Sequence, residues 1–392
     1  MNEVVIISGV RTPVGSFNGS LSSFSAPQLG SIVIREAVKR SGIKPESINE
    51  VIMGCVLQGG LGQAPARQAS LGAGVPESVS CLTVNKVCSS GLYAAMLGAQ
   101  YIQLGKADIV LSGGMESMTN TPYYLTKARA GYRMGNGILI DGIIHDGLWD
   151  PYNNTHMGNI AEMCAREYKI TREQQDEFAK HSYEKALDAM KKGLFKDEIV
   201  SVEIKDKKGN VTVFSEDEEP PKANFEKAAS LRPAFEKTGT VTAFNSSKIN
   251  DGAAALVLMS EAKAKELGKN PIAKLIAQTT YSQKPEWFTT APAYAIEQIC
   301  KKAGIDKNDI DLFEINEAFA VVSCAVNTIA GLDPSKVNVN GGAIAFGHPI
   351  GASGAKLLVT MIHNLKRLNK RYGLVTLCNG GGEATAVIVE RM

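Results

Sequence analysis

Four places in the chain combine reactive side chains with the local geometry that chemistry needs. Cys88 stands at a junction, because Cys81 to Asn85 reads as a strand and Ser89-Ser90-Gly91 opens an apolar helix ending near Gly105. A thiol at a helix N-terminus meets the positive end of the dipole and unpaired N–H groups, both of which favour the thiolate nucleophile. In the run from Asn340 to Gly354, His348 lies between glycine and proline just before another helix, a rigid loop that a ligand can approach closely. Cys378 follows a strand over 373–377 and precedes Asn379 and three glycines, which suits a base beside an anion-stabilising nest. Asn316 opens Asn316-Glu317-Ala318-Phe319-Ala320 at the end of another strand, where its amide can orient a water or polarise a carbonyl. Taken singly, each reads equally well as packing, since most buried cysteines are small inert hydrophobes.

The elements that must position these residues alternate. Apolar β-branched runs at 4–8, 51–53, 109–111, 254–259, 312–315, 374–377 and 386–389 read as buried strands. Helix-like stretches such as Leu29 to Ser41 and Leu92 to Leu104 lie between them. This is an α/β pattern with the strands covered on both faces. A length of 392 residues allows two to three domains and a large core.

A weak internal repeat divides the chain. Gly42-Ile43-Lys44 to Ile52 resembles Gly304-Ile305-Asp306 to Glu314, Ser90-Gly91 resembles Ser353-Gly354, and Gly113-Gly114 resembles Gly380-Gly381. The offsets are similar and the order is kept, so two related halves are expected, over 1–268 and 269–392. Residues from about 119 to 246 have no counterpart and read as an insertion. Within it, Thr171-x-x-Gln174 is a capping box opening an amphipathic helix, 200–214 looks like a hairpin, and Glu216 to Pro221 reads as a solvated loop.

Composition excludes other classes. The 42 Lys+Arg nearly balance the 40 Asp+Glu, which gives no case for nucleic acid as a partner. No apolar run reaches the ~18 residues of a membrane span, and neither terminus reads as a targeting address, so a cytoplasmic protein is expected. The seven cysteines are odd in number and show no C-x-x-C spacing, which argues against a disulfide framework and a structural zinc site; no metal is expected.

Together, Val87-Cys88-Ser89-Ser90-Gly91, Asn316 to Ala320, Gly347 to Gly354 and Cys378-Asn379-Gly380-Gly381-Gly382 resemble the thiolase family, over essentially the whole chain. The resemblance implies the thiolase fold, two similar α/β halves forming a five-layer αβαβα core with an inserted loop domain. It implies ping-pong acyl transfer between coenzyme A thioesters, with no tightly bound cofactor. Cys88 resembles the nucleophile, His348 its base and Cys378 the acid/base at the second substrate's methyl. Asn316 with His348 resembles one oxyanion site, and the N–H groups of Cys88 and Gly380 the other. On the substrate side, His156, Met157, Leu231, Phe235, Ser247, Phe288 and Phe319 match positions that contact coenzyme A or wall the acyl pocket. The match is closest to members that join two acetyl-CoA into acetoacetyl-CoA; a broader 3-ketoacyl-CoA or 2-methyl-branched thiolase is the alternative, to which Phe288 points. Residues 127–150 resemble a loop that pairs dimers into a homotetramer. The pattern departs at Pro220, where an Arg flanking the adenine is usual, and at Phe244 and Lys248, which replace glycines. Lys222 or Lys248 is the candidate substitute as phosphate partner.

Overall fold

The computed structural model describes residues 1–392. The chain begins with β1 (Val4–Arg11), α1 (Ala26–Ser41), β2 (Glu50–Gly54), α2 (Pro65–Gly72), β3 (Ser80–Val84), α3 (Ser90–Gln103) and β4 (Ile109–Ser117). There follow α4 (Met157–Glu167), α5 (Arg172–Lys191) and a hairpin of β5 (Val202–Lys205) and β6 (Val211–Phe214), before β7 (Asn250–Ser260) returns to the sheet. The remainder is β8 (Ala273–Ser282), α6 (Ala291–Ala303), β9 (Leu312–Ile315), α7 (Ala320–Ala330), α8 (Ile350–Arg367), β10 (Tyr372–Asn379) and β11 (Glu383–Arg391). Each expected strand forms, usually longer than its apolar run. The strand β8 is additional: Lys274 and Gln278 interrupt its apolar residues, so no continuous run marks it.

The sheet explains the repeat. Strands β1, β7, β4, β2 and β3 are neighbours in that order, antiparallel for the first two contacts and parallel for the next two. Strands β8, β11, β10 and β9 follow the same order and senses, and a parallel bridge from Phe313 to Val337 stands where β3 would lie. Both first strands carry a register shift near the same point, at Ile6/Ser8 and at Leu275/Ala277. Gly42 and Gly304 both end a helix in the left-handed conformation, at φ 62° and 65°, and each leads through one 3₁₀ turn into a strand. The third sequence match does not hold. Gly113 and Gly114 lie inside β4, whereas Gly380 and Gly381 lie in the turn after β10.

Three cores separate the layers. One lies between α1, α2 and the first set of strands; another lies between the second set and α6, α7 and α4. The central core contains α3 and α8 with strands from both sets. That is why α3 is apolar along most of its length: its face of Leu92, Ala95, Met96, Ala99 and Ile102 is buried, while Tyr93, Leu97, Gln100 and Tyr101 form a half-covered stripe. The two central helices cross very closely. A Cβ on Gly354 would come within 2.6 Å of the Leu92 amide nitrogen, and one on Gly91 within 2.9 Å of that of Ala355.

The capping box at Thr171 and Gln174 forms as expected, and so does the hairpin. Glu216 to Pro221 is not simply a solvated loop. Asp217 is buried and binds the buried Arg11 through both Nη atoms, at 2.7 and 2.9 Å, and Pro220 is buried too. Arg11 also donates to Glu198 at 2.6 Å and lies over the Phe195 ring. An internal cation needed these acids, so part of the charge run turns inward.

Candidate functional site

Cys88 sits in the turn between β3 and α3. The preceding residue, Val87, has φ +48°, a strained conformation for a β-branched side chain. Its N–H donates to Asn85 Oδ1 at 3.0 Å, and the Ser90 hydroxyl donates to its carbonyl at 2.6 Å. These bonds hold the strain and fix where the thiol points. The Gly380 and Cys88 N–H groups lie toward the thiol and favour its ionised form. Burial nevertheless dominates and pushes Cys88 up to about 12. The helix-terminus argument for a standing thiolate is thereby corrected: the resting group is a thiol, although the residue is only partly covered.

His348 lies ahead of α8, the counterpart of α3. Its backbone N–H donates to Asn250 Oδ1 at 3.0 Å. Its Nδ1 is 2.6 Å from Ser353 Oγ, which itself donates to the Pro349 carbonyl at 3.0 Å. The single hydroxyl proton being so used, Nδ1 carries the ring proton and Nε2 keeps a lone pair. Burial, helped by Lys356, lowers His348 to about 3, so the ring is neutral at ordinary pH. Asn316 Nδ2 lies 3.4 Å from Nε2, and its backbone N–H is anchored on the Thr376 carbonyl at 3.1 Å.

Cys378 is the last but one residue of β10 and is buried. Burial first, and then the nearby Cys88, push its thiol well above the usual range. The structure thus brings Cys88, Cys378 and Gly380 together, and separately brings Asn316 to His348.

A cleft of about 510 Å³ runs down to His348, lined by His156, Phe235, Ser247, Lys248 and Phe319 among others. His156 caps α4, accepting from the Gly158 N–H at 3.0 Å, and stacks on Phe235 with centroids 4.9 Å apart. Phe319 meets Phe235 edge-on at 6.1 Å, and the Ser247 N–H donates to the Ala318 carbonyl at 3.0 Å. Met157 faces the Gly380 turn, its sulfur 3.7 Å from where a Cβ on Gly380 would lie, and Phe288 packs in the same core. Leu231 lies apart, against the Tyr183 and Phe244 cluster.

The substitute cations are differently placed from what the sequence suggests. Lys248 Nζ donates to the carbonyls of Ala243 and Ser246, at 2.5 and 2.9 Å, and lies over Tyr183. Burial lowers it to about 8, and its ammonium is held by its own loop at the wall of the cleft. Lys222 bonds Ser16 Oγ and Glu218. Phe244 stacks on Tyr183 at 5.3 Å and packs in the core beside the cleft.

Sequence reasoning missed Glu116. It is fully buried, and its carboxylate accepts from the N–H groups of Val56 at 3.0 Å, Leu57 at 3.1 Å and Gly351 at 2.8 Å. It therefore ties a loop of the first strand set to the start of α8. The available signal was one acid at the end of an apolar strand, Met115-Glu116-Ser117.

Two stacked α/β units presenting paired thiols, a neutral imidazole and N–H donors at their seam define an acyl-transfer fold of the thiolase kind. Residues 4–262 match the family model described as thiolase, N-terminal domain, and residues 269–391 that of thiolase, C-terminal domain. The chain belongs to the thiolase family. It is 53% identical over 392 residues to a probable acetyl-CoA acetyltransferase of Dictyostelium discoideum, covering all of this chain and 95% of the relative. It is 51% identical to an acetyl-CoA acetyltransferase of Cupriavidus necator, with all of both chains covered. A relative from Gibberella zeae, 50% identical over 99% of this chain and 98% of its own, is named a cytosolic acetyl-CoA acetyltransferase. Among solved structures, an acetyl-CoA acetyltransferase of Bacillus anthracis superposes with a TM-score of 0.98 at 43% identity, covering 100% of this chain and 99% of that one. A thiolase of Ascaris suum in complex with coenzyme A gives 0.94 at 45% identity, with both chains fully covered.

Proposed function

We propose that this protein is an acetyl-CoA C-acetyltransferase, joining two acetyl-CoA into acetoacetyl-CoA and coenzyme A and running the reverse thiolysis. The observation that carries the reading is the meeting of Cys88, Cys378 and the Gly380 N–H at one point. The names of relatives at 50–53% identity support the four-carbon reaction over broader 3-ketoacyl-CoA thiolysis.

In this reading Cys88 Sγ attacks the acetyl carbonyl and its proton passes to His348 Nε2. With the thiol and the imidazole both neutral at rest, transfer and attack go together. The carbonyl oxygen takes charge opposite the Cys88 and Gly380 N–H groups. Coenzyme A leaves as its thiol, taking the proton of Cys378. The Cys378 thiolate left behind is a strong base, because its thiol holds its proton tightly, and it removes a proton from the methyl of the second acetyl-CoA. The resulting enolate, with its oxygen at Asn316 and His348, attacks the Cys88 thioester. Cys88 leaves and recovers its proton from His348, so every proton returns to its start.

His156, Met157, Phe235, Ser247, Phe288 and Phe319 shape the substrate side, and no tightly held cofactor or metal takes part. The two halves are 1–268 and 269–392, with 119–246 inserted in the first. A homotetramer is the proposed assembly. Its support is the outer edge of β3, which pairs with no strand, and the exposed Leu125, Met134, Ile138 and Leu139 in the insertion. Light scattering on the protein lacking 126–139 should show a dimer. A cytoplasmic location is supported by the Gibberella zeae relative's name, and no helix is long and apolar enough to cross a membrane.

Coenzyme A-dependent thiolysis of acetoacetyl-CoA, 2-methylacetoacetyl-CoA and a long 3-ketoacyl-CoA tests the activity, with Cys88→Ala as the blank. Activity confined to the first is expected. Comparable turnover of the branched or long substrate would replace this reading with the broader one.

A further inference from the structure

The two cysteine loops come from opposite ends of the chain, and a polar network fixes their distance. Asn379, buried between them, is its centre. Its Oδ1 accepts from the Ser89 hydroxyl at 2.8 Å, next to Cys88. Ser89 Oγ in turn accepts from Thr385 Oγ1 at 3.0 Å. The Asn379 Nδ2 donates to the Gly380 carbonyl at 3.0 Å and to Glu383 Oε2 at 3.2 Å. Glu383 Oε2 also takes the Lys86 ammonium at 2.5 Å, and Glu383 Oε1 accepts from Ser282 at 3.0 Å. The amide's orientation is set by its partners: a hydroxyl donor on one side, two acceptors on the other.

From this geometry we infer that Asn379 is a positioning residue: it clamps the Gly380 peptide to the Cys88 turn, and so aims the Gly380 N–H at the thiol and at the oxyanion that forms there. Gly380 has no side chain, and Gly381 and Gly382 beyond it sit at φ 93° and 81°, so the turn has no side chain of its own to hold it. Lys86 and Glu383 brace the outer end of the same clamp. The inference rests on the proposed acyl transfer.

The donor and acceptor requirement separates this role from mere filling of space. Asn379→Asp keeps the shape, but sets a carboxylate oxygen against the Gly380 carbonyl and Glu383. Asn379→Ala removes the tether without that repulsion. The expected kcat for acetoacetyl-CoA thiolysis falls about tenfold in Asn379→Ala and about a hundredfold in Asn379→Asp, reaching the lower end of the roughly 10²–10³-fold loss that follows outright removal of an oxyanion donor. KM for coenzyme A should stay within about twofold, because the clamp touches the reacting centre and not the cleft. Alkylation of Cys88 by iodoacetamide at fixed pH should slow in the same order, without any substrate present. If Asn379→Asp matched or exceeded Asn379→Ala, or both stayed near the parent, the clamp would be refuted. Parent protein inactive on every thioester, with the alkylation order intact, would sink the proposed function and keep the placement of the N–H. Should Asn379→Asp fail to fold, Ser89→Ala gives the second test: unchanged alkylation and kcat there would overturn the inference.

Discussion

The two strand sets share one plan and carry different chemistry. The first brings Cys88 in the turn before α3. The second brings His348 before α8, Asn316 after β9, and Cys378 with Gly380 at the end of β10. A duplicated fold gives two equivalent helix starts facing one seam. In the proposed reaction one presents the nucleophile and the other its base, so equivalent positions in the two sets take different roles. The long segment between β4 and β7 has no counterpart in the second set, and it puts His156, Phe235, Ser247 and Lys248 along the cleft.

The sharpest way to break this division is to empty one side at a time. Cys88→Ala should lower thiolysis by at least about 10⁴-fold, because no other group can carry the acetyl unit. Cys378→Ala should lose overall turnover by about 10³-fold and still become acetylated at Cys88 by acetyl-CoA, whose coenzyme A can leave as a thiolate; intact-mass measurement after mixing with acetyl-CoA checks this. An unlabelled Cys88 in that variant would mean that the two thiols act as one unit. Asn316→Ala should lower kcat about a hundredfold, with a smaller change in KM. The insertion's anchor is next. Arg11→Met leaves Asp217 and Glu198 buried without their cation and should cost about 3–5 kcal/mol, read as a lower denaturant midpoint.

The smallest effect concerns His348. Its value is about 3 in the folded protein against 6.5 for the free group. Between those values the unfolded chain takes up a proton that the folded site refuses. Stability therefore falls as pH falls below about 6.5, by up to about 1.4 kcal/mol per unit from this group. His348→Asn should flatten that slope in urea titrations between pH 6.5 and 4. An unchanged slope would mean that the ring is protonated in the fold.

The alternation of strands and helices was legible because most buried strands carry an uninterrupted apolar run and α3 is apolar along most of its length. The turns that hold Cys88, His348 and Cys378 were legible because glycine and proline mark them, and two of those turns place Cys88 near Cys378 and Gly380. Partnership was not legible. Nothing local tells that Asp217 faces Arg11 or that burial outweighs the helix end at Cys88. Each depends on contacts across many tens of residues or more, or on depth, which one-dimensional pattern does not carry. Glu116 and Asn379 belong with them: Glu116 holds backbone N–H groups of distant segments, and Asn379 meets the hydroxyl of Ser89, 290 residues away.

The close crossing at Gly91 and Gly354 has a consequence for change over time. Where two helices leave no space for one added carbon, the segments that aim the thiol and the imidazole cannot drift without separating. The cleft hangs from a different part of the chain, which can vary with the seam held still. A laboratory selection for new acyl groups should therefore gather its accepted changes around residues 119–246 and leave the crossing untouched.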